Sequence, residues 1–130
     1  MYRVILIVAT VALGISSSPD IYASWLFGPG NFDECISDYQ PEAESTTAAK
    51  LIHIACSNKF KKKQKIDHAN CLLDHVLNTR SDLAVKAIAL ACANLYIHDK
   101  SHAWSRCILR NMEGTKVDQA ARSIAATCKD

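Results

Sequence analysis

"AVKAIALAC", residues 84–92, is an apolar helical phrase ending on a cysteine. The chain writes it three times. "AAKLIHIAC" occupies 48–56 and "AARSIAATC" occupies 120–128. Two intervals govern the six cysteines at 35, 56, 71, 92, 107 and 128: 21 within a pair and 36 from one pair to the next. In that register Cys35, Cys71 and Cys107 coincide, as do Ile36, Leu72 and Ile108. Ala48, Ala84 and Ala120 follow, then Lys50, Lys86 and Arg122, then Ile52, Ile88 and Ile124, then the second cysteines. No insertion is needed, and a period in this range signals tandem supersecondary units.

Each copy reads as two helices. In the second, Ala84, Ile88, Ala91, Cys92 and Leu95 recur at i, i+4, i+7, i+8 and i+11, one apolar stripe of an α-helix. Ser45 and Ser81 are placed as N-caps, whereas the third copy has Val117 there. The first helices are expected over 32–40, 67–77 and 102–112, capped by Asn31, Asp67 and Ser101. "QPEAES", "LNTRS" and "MEGTKV" break the chain between the two helices of a copy. In an antiparallel hairpin the start of helix one meets the end of helix two, which is where both cysteines of a copy lie. The expected bridges are therefore Cys35–Cys56, Cys71–Cys92 and Cys107–Cys128, one of fifteen possible connectivities. The fold class is all-α: three tandem disulfide-stapled helical hairpins over about 31–60, 67–96 and 102–130, stacked as a short solenoid or a compact bundle.

The N-terminus has the layout of a secretory signal peptide. Arg3 precedes an apolar run over 4–15, too short for the roughly 20 residues of a membrane span, and "SSSPDIYA" allows cleavage after Ala23. An uncleaved anchor is the alternative, with "IYASWLF" (21–27) prolonging the run. Cleavage would leave 24–130 as a single helical domain that is not transmembrane. Six cysteines in a short exported chain indicate an oxidising compartment, so the protein is expected to be secreted or periplasmic.

The net charge of +2 argues against a dedicated nucleic-acid binder. Enzymatic signatures are missing: no phosphate loop, no nucleophile elbow, and no thiol left over once six cysteines pair. No cofactor is expected. Three features invite a functional reading. "NKFKKKQK", 58–65, packs five lysines, Lys61, Lys62 and Lys63 among them, into the junction between copies one and two. It would suit an anionic surface or an acidic protein. "WLFGPGNF", 25–32, puts Trp25 and Phe27 at the expected mature N-terminus, either folded back as a cap on the first hairpin or free as a binding arm. His98 and His102 stand at i, i+4, a spacing that can bind zinc. His68, Cys71 and His75 also share a helical face, but in register His68 aligns with Phe32 and Trp104, which makes packing the simpler role.

Each copy resembles a cysteine-bounded module of exported bacterial proteins, "(D/E)-x-C-I … A-A-x-x-I-x-x-A-C". It is carried here by "DECI…AAKLIHIAC", "NCLL…AVKAIALAC" and "RCIL…AARSIAATC". That resemblance implies no activity and no functional residues. The period and stapled hairpins are also similar in architecture to cysteine-rich Sel1-like repeat proteins, although the cysteine spacing here is wider. The reading is a non-enzymatic exported interaction protein with an unidentified partner. One alternative is a secreted effector or inhibitor acting through the Lys-rich junction and the aromatic arm. The other is a periplasmic metal-binding protein.

Overall fold

In hairpin order, the polar residue before each helix decides how that helix starts. The computed structural model describes residues 27–129; the expected signal peptide, 1–23, and Trp25 lie outside them. The first hairpin pairs α1 (Phe32–Tyr39) with α2 (Thr46–Cys56). The second pairs α3 (Ile66–His75) with α4 (Asp82–Ala93). The third pairs α5 (His102–Met112) with α6 (Asp118–Thr127). At α1 the Asn31 side chain accepts from the Glu34 amide, and the Glu34 carboxylate reaches back to the Gly30 amide at 2.7 Å, a reciprocal cap. Ser45 and Ser81 accept from the Ala48 and Ala84 amides, each at 3.1 Å. Val117 offers no side-chain acceptor to α6.

Two of the expected caps are corrected. Asp67 sits inside the first turn of α3, and the cap position belongs to Lys65, whose side chain makes no capping bond. Ser101 does hold the cap position of α5, but in a left-handed conformation with no capping bond. Both corrections have one cause. The chain enters α3 and α5 from tight left-handed junctions, which start α3 one residue before Asp67 behind a lysine that has no acceptor to offer and leave Ser101 without a capping bond.

The three bridges run within the hairpins: Cys35–Cys56, Cys71–Cys92 and Cys107–Cys128, each with a sequence separation of 21 and Cα atoms 5.6–5.8 Å apart. No described cysteine is free. Each bridge closes the open end of its hairpin, where the junctions also lie, while the inter-helix loops gather at the opposite end.

The helix containing "AVKAIALAC" is the centre of the molecule. Helix α4 packs against α2, α3, α5 and α6. Ala84, Val85, Ile88, Ala91 and Cys92 are fully buried, and only Asp82, Lys86 and Leu90 are exposed. A helix apolar almost all round belongs in the interior, and its alanines let four neighbours approach closely. Ile52, Leu72, Leu73, Val76, Ile108 and Met112 fill the space around it. The hairpins thus form a compact helical bundle around one central helix.

The predicted stripe ends differently from expectation. After Ala93 the helix widens into a π-helical turn, Asn94–His98, and a matching turn, Ser57–Lys62, follows α2. Wider winding shifts the phase, so Asn58 and Asn94 become buried and Leu95 only half-buried. π-Turns have no simple residue signature, and the 3.6-residue pattern does not register them.

Candidate interaction surface

The first junction is built from its backbone outward. The π-turn ends at Lys63, which is left-handed at φ 50°, and Lys65 is left-handed at φ 51°. The Asn58 carbonyl accepts from the amides of both Lys63 and Gln64. The same arrangement recurs 36 residues on, where Asp99 and Ser101 are left-handed and the Asn94 carbonyl accepts from Asp99 and Lys100. One backbone device therefore turns the chain twice.

The side chains on that device differ. Lys61, Lys62, Lys63 and Lys65 are exposed on the first junction, with Lys59 beside them. The Lys61 ammonium lies 3.5 Å from the Phe32 ring centre and that of Lys59 lies 5.4 Å from Phe60, both within cation–π range. Phe32 in turn meets His53 edge-on at 5.4 Å. Lys61 is thereby tied to α1, while Lys62 and Lys63 extend into solvent. Among the described residues, no ion pair involves any of these five lysines. Phe27 is 87% exposed, so it does not cap the first hairpin as one expectation had it.

The helical face that the His98–His102 spacing implied is interrupted. Asp99 and Ser101 interrupt the helix between His98 and His102, so i, i+4 no longer means one face. His102 Nε2 is 2.9 Å from Asp99 Oδ1. No group of three or more His, Cys, Asp or Glu side chains among the described residues could hold a metal ion. His75 Nδ1 pairs with Glu113 Oε2 at 3.2 Å, across hairpins. His68 is half-buried with Nδ1 shielded from water and without a partner. Burial, followed by repulsion from Lys65 and His98, holds its pKa below the usual 6.5.

At the opposite end lies a polar network that the sequence reading missed. Glu44, Arg80 and Lys116 hold the same register position in the three loops. Lys116 Nζ donates to Glu44 Oε1 at 2.6 Å and to the Asn78 carbonyl at 2.6 Å, and Arg80 Nε stands 3.5 Å from Glu44 Oε2. The Lys116 hydrogen bond is the main reason the Glu44 carboxyl stays below its usual range, with the Lys116 and Arg80 charges adding to it. Backbone bonds complete the clamp: Asn78 N–H donates to the Glu42 carbonyl, and Arg80 and Ser81 both donate to that of Thr115. Ser81 Oγ donates to Asp118, a bond that leads in holding the Asp118 carboxyl low. Gly114, left-handed at φ 74°, donates to Thr79 Oγ1 at 2.9 Å. Glu44, Arg80, Lys116 and Asp118 are thus used to lock the loops together, whereas Lys62, Lys63 and Lys65 of the first junction are exposed and make no ion pair among the described residues.

Among the described residues, no helix is long and apolar enough to cross a membrane. Three bridges with no free cysteine are the state of a protein in an oxidising environment. No curated protein and no solved structure matches the chain. A family model described as "Four-cysteine protein VF_A0006-like" matches residues 58–130, which contain the junction and the two hairpins closed by Cys71–Cys92 and Cys107–Cys128. With more than half its length matched, the chain belongs to this family of four-cysteine proteins, and here a further stapled hairpin precedes the matched region.

Proposed function

We propose that this protein is an exported, non-enzymatic interaction module, a small rigid scaffold that presents its junction end to a partner in the periplasm or outside the cell. The observation that carries this reading is the fate of the cysteines. All six are spent on bridges that close the junction end of each hairpin, so thiol chemistry is not on offer and the covalent ties support a surface. The apolar run at 4–15, the small residues before Ala23 and the oxidised cysteines together favour export. The test is fractionation of the source cells with mass analysis of the recovered chain. A species beginning at Ser24, without free thiols and outside the cytoplasm, is expected. A full-length reduced chain in the cytoplasm would overturn the reading.

The five unpaired lysines favour a second reading, in which the module acts as an effector or inhibitor that grips a specific acidic protein through Lys61, Lys62 and Lys63, with Phe27 and Trp25 as an adjoining arm. Replacing Lys61–Lys63 by glutamine should then abolish capture of that protein.

A further inference from the structure

The two junctions provide an internal control. They share the π-turn, the buried asparagine and both left-handed residues. The second does so with "NLYIHDKS", whose acid and base cancel, and the first with "NKFKKKQK". The backbone therefore does not require lysine. It disfavours lysine at two places, because a left-handed conformation crowds Cβ against the neighbouring carbonyl and is better tolerated by glycine, asparagine or aspartate. Lys63 and Lys65 stand at those places. The charge is kept against local preference.

The same end also concentrates exposed apolar side chains. Of the seven large hydrophobic residues left exposed among those described, four sit there: Phe27, Ile66 at 45%, Tyr96 at 53% and Ile97 at 41%. The second junction lies beside the first because α3 starts where α2's turn ends and α4 returns to the same end, clamped by Cys71–Cys92. Of the described acids at this end, Glu34 is engaged at Gly30 and Asn31 and Asp99 at His102, leaving Asp33 and Asp67 against five lysines. Every cation of the first junction is lysine, a compact hydrated charge without the planar fork by which arginine fixes individual carboxylates. Diffuse positive charge beside exposed apolar and aromatic residues suits a charged interface more than one shaped acidic site.

From this juxtaposition we propose that the junction end docks on the surface of an anionic lipid bilayer. The lysines of 59–65 face phosphate-bearing headgroups, and Ile66, Tyr96 and Ile97 enter the interfacial layer. The inference deepens the reading of an exported interaction module by naming its partner. Docking lies on the bilayer and does not cross it.

Vesicle flotation tests it, using the oxidised protein as recovered from cells. Phosphatidylcholine vesicles doped with phosphatidylglycerol should carry the protein up the gradient, and pure phosphatidylcholine should not. The bound fraction should fall as salt rises, since the Debye length shrinks to about 3 Å at 1 M. The decisive variant is Lys63→Asn with Lys65→Asn, which removes two charges and favours the left-handed backbone. At about fivefold per lysine near an anionic surface, its partitioning should drop about 25-fold, with a thermal midpoint equal to or above the parent's. Ile66→Ser should weaken partitioning at unchanged charge. Equal binding of the double variant and the parent overturns the proposal, as does equal binding to the two vesicle types. Binding to soluble polyglutamate but to neither vesicle overturns it in favour of an acidic protein. A protein found exported with three bridges that does not float sinks this inference alone, while a reduced cytoplasmic chain sinks the functional reading whatever the flotation result.

Discussion

Removing the Cys107–Cys128 bridge should melt one helix and leave the rest standing. All three bridges span 21 residues, so chain entropy assigns each the same stabilisation, about 3.3 kcal/mol. What differs is the packing that remains when the bridge is gone. Helix α6 buries only Ala121 completely, with Ile124 and Ala125 partly covered. At about 0.8 kcal/mol per buried methyl-sized group and up to about 3 for a fully covered isoleucine, α6 gains a few kcal/mol from burial. Ordering ten residues costs about 1–2 kcal/mol each before hydrogen bonding contributes, and helices this short do not persist alone. Helix α6 is also the last element and touches only α4 and α5 substantially. A Cys107→Ala/Cys128→Ala variant should therefore open α6 locally. Native-state hydrogen exchange reads this directly. Amides of 121–127 should lose protection by roughly two orders of magnitude, the equivalent of about 3.3 kcal/mol, while those of α3 and α4 hold most of theirs. The matching Cys35→Ala/Cys56→Ala variant should behave otherwise, because α2 buries Ala48, Ile52, Ala55 and Cys56 against α3 and α4. Its loss should appear as lower global stability with α2 still protected. Protection of α6 that falls no further than that of α4 would refute the reasoning.

Ile88→Ala, at the fully buried middle of α4, should cost about 2–5 kcal/mol in chemical denaturation, whereas Leu90→Ala two positions on, half-exposed, should stay within about 0.5 kcal/mol. Folded-state lowering of the Glu44 and Asp118 pKa values from 4.5 and 3.8 means that their stabilisation is complete above those values and is lost as pH falls through the lower folded values; a Glu44→Gln/Asp118→Asn protein should show a shallower decline in thermal midpoint on acidification. His68 has its folded pKa held below 6.5 by burial, so the unfolded chain takes up the proton first and stability falls as pH drops below 6.5 towards the folded value. His68→Phe, the residue type of Phe32 at the same register position, should remove that part of the pH dependence and raise the midpoint near pH 5–6, about the range where histidine titrates.

The hairpins, their bridges and one buried face of α4 were legible because each follows from a period: 3.6 for the stripe, 21 for the bridge, 36 for the tandem hairpins. What escaped depends on geometry that no period encodes. The π-turns arise from a change of winding after Cys56 and Ala93, and their visible trace, asparagine at both 58 and 94, carries no mark that the side chain is buried. The loop clamp needed Glu44, Arg80 and Lys116 to be recognised as neighbours. They were neighbours in register, but an acid and two bases 36 and 72 positions apart become an ion-pair group only once hairpins stack in parallel with loops at one end. The histidine spacing misled for the opposite reason, since i, i+4 has meaning only within an unbroken helix and Asp99 breaks it.

The hairpin outside the matched family region bears on the lysine junction more than its position suggests. The match begins at Asn58, the buried asparagine whose carbonyl holds the first turn. Yet the π-turn at Ser57–Lys62 is a direct continuation of α2, and the ring under Lys61 is Phe32 of α1. The first hairpin thus fixes the direction in which the lysines leave the bundle, and Cys35–Cys56 locks that direction one residue before the turn begins. If the junction docks as proposed, its ordered backbone would lose little further freedom on docking, and a lower ordering cost favours binding for the same contacts. The first hairpin therefore supports the start of the junction through α2 and holds Lys61 through Phe32.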